Sequence, residues 1–90
     1  MSEAQREKPI LLGPHAARQL RQRGADEKQV VEAIRNERWE RAKLGRLECR
    51  RNFPFNSVWK GREYQTQQVR PIFVDEPGAI VIVTVYVFYF

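Results

Sequence analysis

His15, Gln19 and Arg23 recur at four-residue spacing, so on a helix they fall along one edge at i, i+4 and i+8. A base, a hydrogen-bonding amide and a fixed positive charge in line suit a phosphodiester. The first turn of a helix disfavours a charged imidazole, and a neutral histidine there can take a proton from a ribose 2′-hydroxyl. Ordinary roles leave the same pattern: a helix-start histidine bonded to its neighbours, and a last-turn arginine complementing the C-terminal dipole. His15 is the sole histidine, which excludes a histidine-based metal cluster. The chain has no phosphate-binding glycine loop, zinc spacing or nucleophile elbow. No cofactor or metal is therefore expected.

A second set of candidates lies downstream. Between Arg35 and Arg51 stand seven basic residues against Glu37, Glu40 and Glu48, with Trp39 among them. Arginine forks beside an exposed aromatic are the usual means of gripping and stacking single-stranded RNA. On that reading Arg41, Lys43, Arg46, Arg50 and Arg51, with Arg70, Arg18 and Gln19, form an RNA-binding set. A solvated strand face with cross-strand ion pairs leaves the same pattern. Thr84 and Tyr86 are the only hydroxyls in the middle of the last apolar run and share one parity. If the first helix packs near them, His15, Arg23, Thr84 and Tyr86 converge as a catalytic group, with Arg51 or Arg70 clamping the phosphate. Strand propensity and core filling account for the same two hydroxyl residues without any site.

The elements that must position these residues are readable. Pro14 suits a first helical position and Gly24 a left-handed C-terminal cap, which predicts a helix over Pro14 to Arg23. Asp26 followed by Gln29 is a capping box, and Val30, Val31, Ala33 and Ile34 give the next helix, Glu27 to Asn36, its buried face. Two helices so closely joined form a hairpin, and neither is long enough to persist without a sheet to cover. Strands are predicted at Trp39 to Leu44, Arg46 to Phe53, Gln65 to Val74 and Ala79 to Phe90. Pro71 is tolerable only at an edge or bulge. Pro54 to Tyr64 reads as a loop or distorted hairpin pinned by Phe55, Trp59 and Tyr64. The uncharged run Ala79 to Phe90 predicts a central strand covered on both faces, with Ile80, Ile82, Thr84, Tyr86, Phe88 and Phe90 on one of them. The last two strands pair across the Asp75-Glu76-Pro77-Gly78 turn.

Ninety residues suffice for one modest core. The expected organisation is a disordered tail over residues 1–9 and a single domain over 10–90. One cysteine and no recognisable leader favour a reducing, cytoplasmic setting. The longest apolar run, the twelve residues Ala79 to Phe90, is too short for a membrane-spanning helix, which needs about 20. Fifteen of the sixteen Lys and Arg residues lie between Arg6 and Arg62 and only Arg70 follows, within a net charge of +5. That asymmetry favours an anionic partner, RNA or an acidic protein.

The stretch Gly13-Pro14-His15-Ala16-Ala17, then Gln19, Arg23-Gly24 and Val30, followed by Ile82-Val83-Thr84-Val85-Tyr86, resembles the bacterial domain-of-unknown-function family 4258. That family is usually grouped with barnase, EndoU, colicin-type tRNases and RelE toxins. The resemblance spans roughly residues 10–88. It implies an α+β fold in which two N-terminal helices pack on a four-stranded, mainly antiparallel, twisted sheet. It also implies metal-independent RNA cleavage of the RelE-like toxin type, or descent from it. The family's histidine falls on His15, its helix-ending arginine on Arg23, and its C-terminal threonine and tyrosine on Thr84 and Tyr86. Many members carry arginine where this chain has Gln19, a lost cation that Arg18 or a strand arginine would have to replace. Three functions follow: an endoribonuclease paired with an acidic antitoxin-like protein, a non-catalytic RNA- or protein-binding module that kept the fold, and an oligomer joined through Phe55, Trp59, Phe88 and Phe90.

Overall fold

The computed structural model describes residues 7–90. Chain order is strand β1 (Ile10–Leu12), helix α1 (Pro14–Arg23), helix α2 (Glu27–Asn36), β2 (Glu40–Arg41), a 3₁₀ turn (Lys43–Gly45), β3 (Leu47–Glu48), β4 (Arg51–Trp59), β5 (Arg62–Glu76) and β6 (Ala79–Tyr89). The strands form one sheet in the order β1-β6-β5-β3-β2, with β4 also pairing β5. All pairs are antiparallel except β1 with β6. Both helices cover one face. The long strand β5 accounts for the 42 × 24 × 22 Å extents.

Both helices begin and end where their caps require. Pro14 opens α1, and Gly24 closes it in the left-handed region at φ 78°. The Asp26 carboxylate accepts the Gln29 N–H at 3.0 Å while the Gln29 side-chain oxygen accepts the Asp26 N–H at 3.1 Å. Ala16 and Leu20 of α1 and Val30, Ala33 and Ile34 of α2 are buried against Val69, Phe73, Ile80, Ile82 and Val85. Burying each larger member of this set contributes about 1.5–3 kcal/mol.

The sheet departs from the predicted strands in three places. Ile10–Leu12 pairs parallel with Ile80–Ile82 and adds a strand at the β6 edge. Trp39 to Leu44 yields only Glu40–Arg41 before the chain turns over Lys43–Gly45, where Leu44 and Gly45 both have positive φ. Pro54 to Tyr64 is the distorted hairpin and not a loop: β4 and β5 extend into it on both sides of a tight Lys60-Gly61 turn, with a register shift between Pro54 and Ser57. Pro71 lies in the interior of the sheet, opposite the break between β3 and β4, where its carbonyl accepts the Cys49 N–H and no partner asks for the missing donor.

The consequential departure is in β6. Ile72 pairs with Thr84 and Phe73 with Ile82, so Val83 is an extra residue that forms a bulge. A one-residue bulge reverses the facing of everything beyond it. Ile80 and Ile82, then Val85, Val87 and Tyr89, therefore face the helices, while Thr84, Tyr86 and Phe88 face away. Tyr86 and Phe88 are each 43% exposed, so β6 is covered on one face and open on the other, not covered on both. Its outer edge has no strand partner beyond Ile82, where β1 ends.

Of the tail expected over residues 1–9, residues 1–6 lie outside the described residues. Lys8 and Pro9 are anchored: Lys8 pairs with Asp75 at 2.5 Å, and the Pro9 carbonyl accepts the Ile80 N–H at 2.8 Å. Among the described residues no helix is long and apolar enough to cross a membrane.

Candidate functional site

Helix α1 lies along the β6 edge that β1 leaves uncovered, and this decides what its polar residues do. Val85 lies opposite Pro71, whose carbonyl faces Cys49 and not β6, so the two exchange no hydrogen bond and Val85 turns its own peptide groups outward. The Gln19 side-chain oxygen accepts the Val85 N–H at 2.9 Å and the Thr84 hydroxyl at 2.7 Å. The Arg23 guanidinium donates to the Val85 carbonyl. Glutamine and arginine thus satisfy backbone groups that an open strand edge would otherwise present to another chain. His15 is one turn earlier, exposed, and lines none of the hollows described below. Arg18 is exposed on α1, also away from them. The spacing of His15, Gln19 and Arg23 therefore joins two edge-capping residues to an exposed histidine.

Trp39, expected to be an exposed stacking platform, is in the core. It is 8% exposed, donates its indole N–H to the Ile34 carbonyl at 2.8 Å and packs edge-on against Phe73. Arg51 shares the helix-side parity of Val69 and pairs with Glu37 at 2.6 Å, which separates it from Arg70. Arg50 is half exposed and 3.7 Å from Glu48.

The remaining predicted residues gather on the open face. A hollow of about 680 Å³ has Arg70, Ile72, Thr84 and Tyr86 in its floor, with Arg41 at the end of β2 and Lys43 and Arg46 on the loop that rises beside it. That loop is closed by the Ala42 N–H donating to the Arg46 carbonyl and the Arg46 N–H to the Lys43 carbonyl, at 2.8 and 3.2 Å. Leu44, 85% exposed and at φ 61°, stands at its tip. Four cations face a single carboxylate, Glu48. Arg70 meets both Glu48 oxygens through one nitrogen, Nη2, at 2.7 and 2.8 Å, and its buried Nε–H has no protein partner. This is not the two-nitrogen fork that locks arginine to carboxylate most firmly. Tyr86 is flanked by Phe88, stacked at 6.4 Å, and by the Arg23 guanidinium at 5.5 Å.

Glu48, Ile72 and Leu44 belong to this hollow and were not singled out in the sequence. Glu48 had a signal, as the acid alternating with arginines on the second strand. Leu44 had none, because its exposure follows from the tight turn.

A second polar centre is structural. Buried Gln67 donates to the Gly24 carbonyl at 2.9 Å and the Tyr89 hydroxyl at 3.0 Å, and accepts from Gln29 at 2.7 Å. Tyr89 donates to the Arg23 carbonyl at 2.5 Å and is the hub of Phe55, Trp59 and Tyr64. Phe55 and Trp59 are thus half-buried, while Phe88 and Phe90 remain exposed. Burial pushes the Tyr89 phenol above its ordinary value of 10.0, and the Gln67 hydrogen bond offsets part of this. The unfolded chain then loses this proton at lower pH than the folded chain. Its contribution is fully present below about pH 10 and declines as the pH rises from there through the folded value. Urea titrations from pH 8 to 11 should show a shallower alkaline loss of stability for Tyr89→Phe than for the parent, with the variant less stable at pH 8.

Comparisons with family models, with curated proteins and with solved structures find no match for this chain.

Proposed function

We propose that this chain binds single-stranded RNA on the open face of its sheet, as a non-catalytic module. The observation that carries the reading is the hollow in which Arg41, Lys43, Arg46 and Arg70 face one carboxylate across a floor that exposes Tyr86. Cations that follow a phosphate backbone, next to an aromatic face on which a base can stack, are the two requirements of single-strand recognition. A closed duplex offers its phosphates but not an unstacked base, so single strands are the preferred ligand. In this reading the two-helix, open-faced sheet is the RelE/barnase-like arrangement that the sequence resembles. The working compartment is the cytoplasm, and an acidic antitoxin-like protein would occupy the same cations.

Binding is preferred to cleavage because the residues expected to do chemistry are engaged elsewhere. Gln19 and Arg23 hold the Val85 peptide groups, and the Thr84 hydroxyl is donated to Gln19. Incubation of the purified chain with total RNA in chelator, followed by gel analysis and filter binding at rising salt, tests this. Intact RNA is expected, with affinity falling steeply as salt rises. Cleavage that His15→Ala reduces at least tenfold would replace the binding reading with the endoribonuclease one.

A further inference from the structure

Tyr86 lines two hollows, not one. The second, of about 340 Å³, is bounded by Gln22, Arg23, Trp59, Lys60 and Tyr89 as well as Tyr86, and no carboxylate lines it. The Lys60 ammonium lies 5.5 Å from the centre of the Trp59 ring, and Trp59 is itself stacked on Tyr89 at 5.1 Å and 17°. Cations and aromatics thus recur on both sides of Tyr86, at the place where β6 has no neighbouring strand. Such alternation lets a flexible polyanion stack a base and continue, which a stiff duplex cannot do around a sheet edge.

We propose that the RNA path continues across Tyr86, past Arg23 and round the edge of β6 that no strand covers, into this second hollow, so that the ligand is a single strand long enough to reach Lys60 and Trp59. This rests on the reading of the first hollow as an RNA site. Short oligonucleotides fill the first hollow alone; longer ones fill both and are held more tightly.

Lys60 permits a test that spares the fold. It has φ 50° and precedes Gly61 at φ 81° in the two-residue turn between β4 and β5. Asparagine accepts this left-handed geometry better than most residues, so Lys60→Asn removes the charge while suiting the turn. Fluorescence anisotropy with labelled oligouridylate tetramer and octamer, in about 0.1 M salt, compares the parent, Lys60→Asn and Arg46→Glu. Loss of one phosphate contact lowers the single-strand salt slope by about 0.7, which at that salt is about fivefold in affinity. Lys60→Asn should weaken the octamer by that factor and leave the tetramer unchanged, whereas Arg46→Glu weakens both. Trp59 emission should respond to the octamer alone, Trp39 being buried. If Lys60→Asn leaves the octamer unchanged, or weakens both lengths alike, the second hollow is not part of the path, although Arg46→Glu sensitivity would keep the first. If neither oligonucleotide binds the parent, the first reading fails and the extended path fails with it.

Discussion

Gly24→Ala should lower stability by about 3 kcal/mol, a drop of roughly 12–24 °C in the thermal midpoint of a domain this size. Two costs add. Gly24 has φ 78°, where an L side chain costs about 1–2 kcal/mol. A Cβ there would also stand 2.6 Å from Trp59 Cζ3 and 2.6 Å from the Tyr89 hydroxyl. Overpacking of that kind costs about 1–3 kcal/mol, and here the neighbours cannot step aside. Tyr89 is held by its hydrogen bonds to Arg23 and Gln67, and Trp59 is stacked on Tyr89. Gly45→Ala is the matched control, since Gly45 has φ 71° with nothing near its missing Cβ. It should cost only the backbone term, about 1–2 kcal/mol. Equal losses in the two variants, measured by urea denaturation, would mean that the aromatic cluster does not press on the helix end.

The second large effect concerns binding. Lys43→Glu combined with Arg46→Glu should reduce affinity for single-stranded RNA by about 100-fold or more at 0.1 M salt. Each lost phosphate contact accounts for about fivefold on the single-strand salt relation, and reversing the charges adds repulsion. Both side chains project from the loop beside the hollow, so the thermal midpoint should move little, as surface substitutions usually stay within about 0.5 kcal/mol. The control is Arg18→Glu, which changes the charge on α1 away from the hollow. It should weaken binding only a few-fold, through the overall field of the chain. A loss as large for Arg18→Glu as for the loop variant would show that net charge, and no particular surface, holds the RNA.

Local signals carried the helical half of this fold. Pro14, Gly24 and the Asp26-Gln29 box act within one turn of where they stand, so their meaning does not depend on what packs above them. The sheet was legible only where a turn is equally local, as at Pro77-Gly78. Alternation along Ala79 to Phe90 failed at Val83 because a bulge is a property of two strands in register, and a run of β-branched residues hides it. That one residue put Thr84 and Tyr86 on the face opposite Ile80 and Ile82, with which alternation had grouped them, and turned Tyr86 to solvent. Trp39 misled for a similar reason. Its neighbours are charged, but its ring follows α2 into the core and bonds the Ile34 carbonyl.

The candidate site was half legible. Arg41, Lys43, Arg46, Arg70, Thr84 and Tyr86 were named from charge and parity, and the structure brings them round one hollow. His15 was joined to them by helical spacing, and spacing alone does not say which way a helix edge faces. Gln19, read as a departure from the resembled family, is the residue that best fits its place, because an amide oxygen can accept both the Val85 N–H and the Thr84 hydroxyl.

The most direct test is to titrate an isotope-labelled sample with oligouridylate and follow the backbone amide resonances. The largest shifts are expected on Arg41 to Arg46, Arg70 and Thr84 to Tyr86, while α2 and the far side of α1 stay still. Shifts confined to the helices, or none at ligand concentrations that saturate other single-strand binders, would contradict binding on the open face of the sheet.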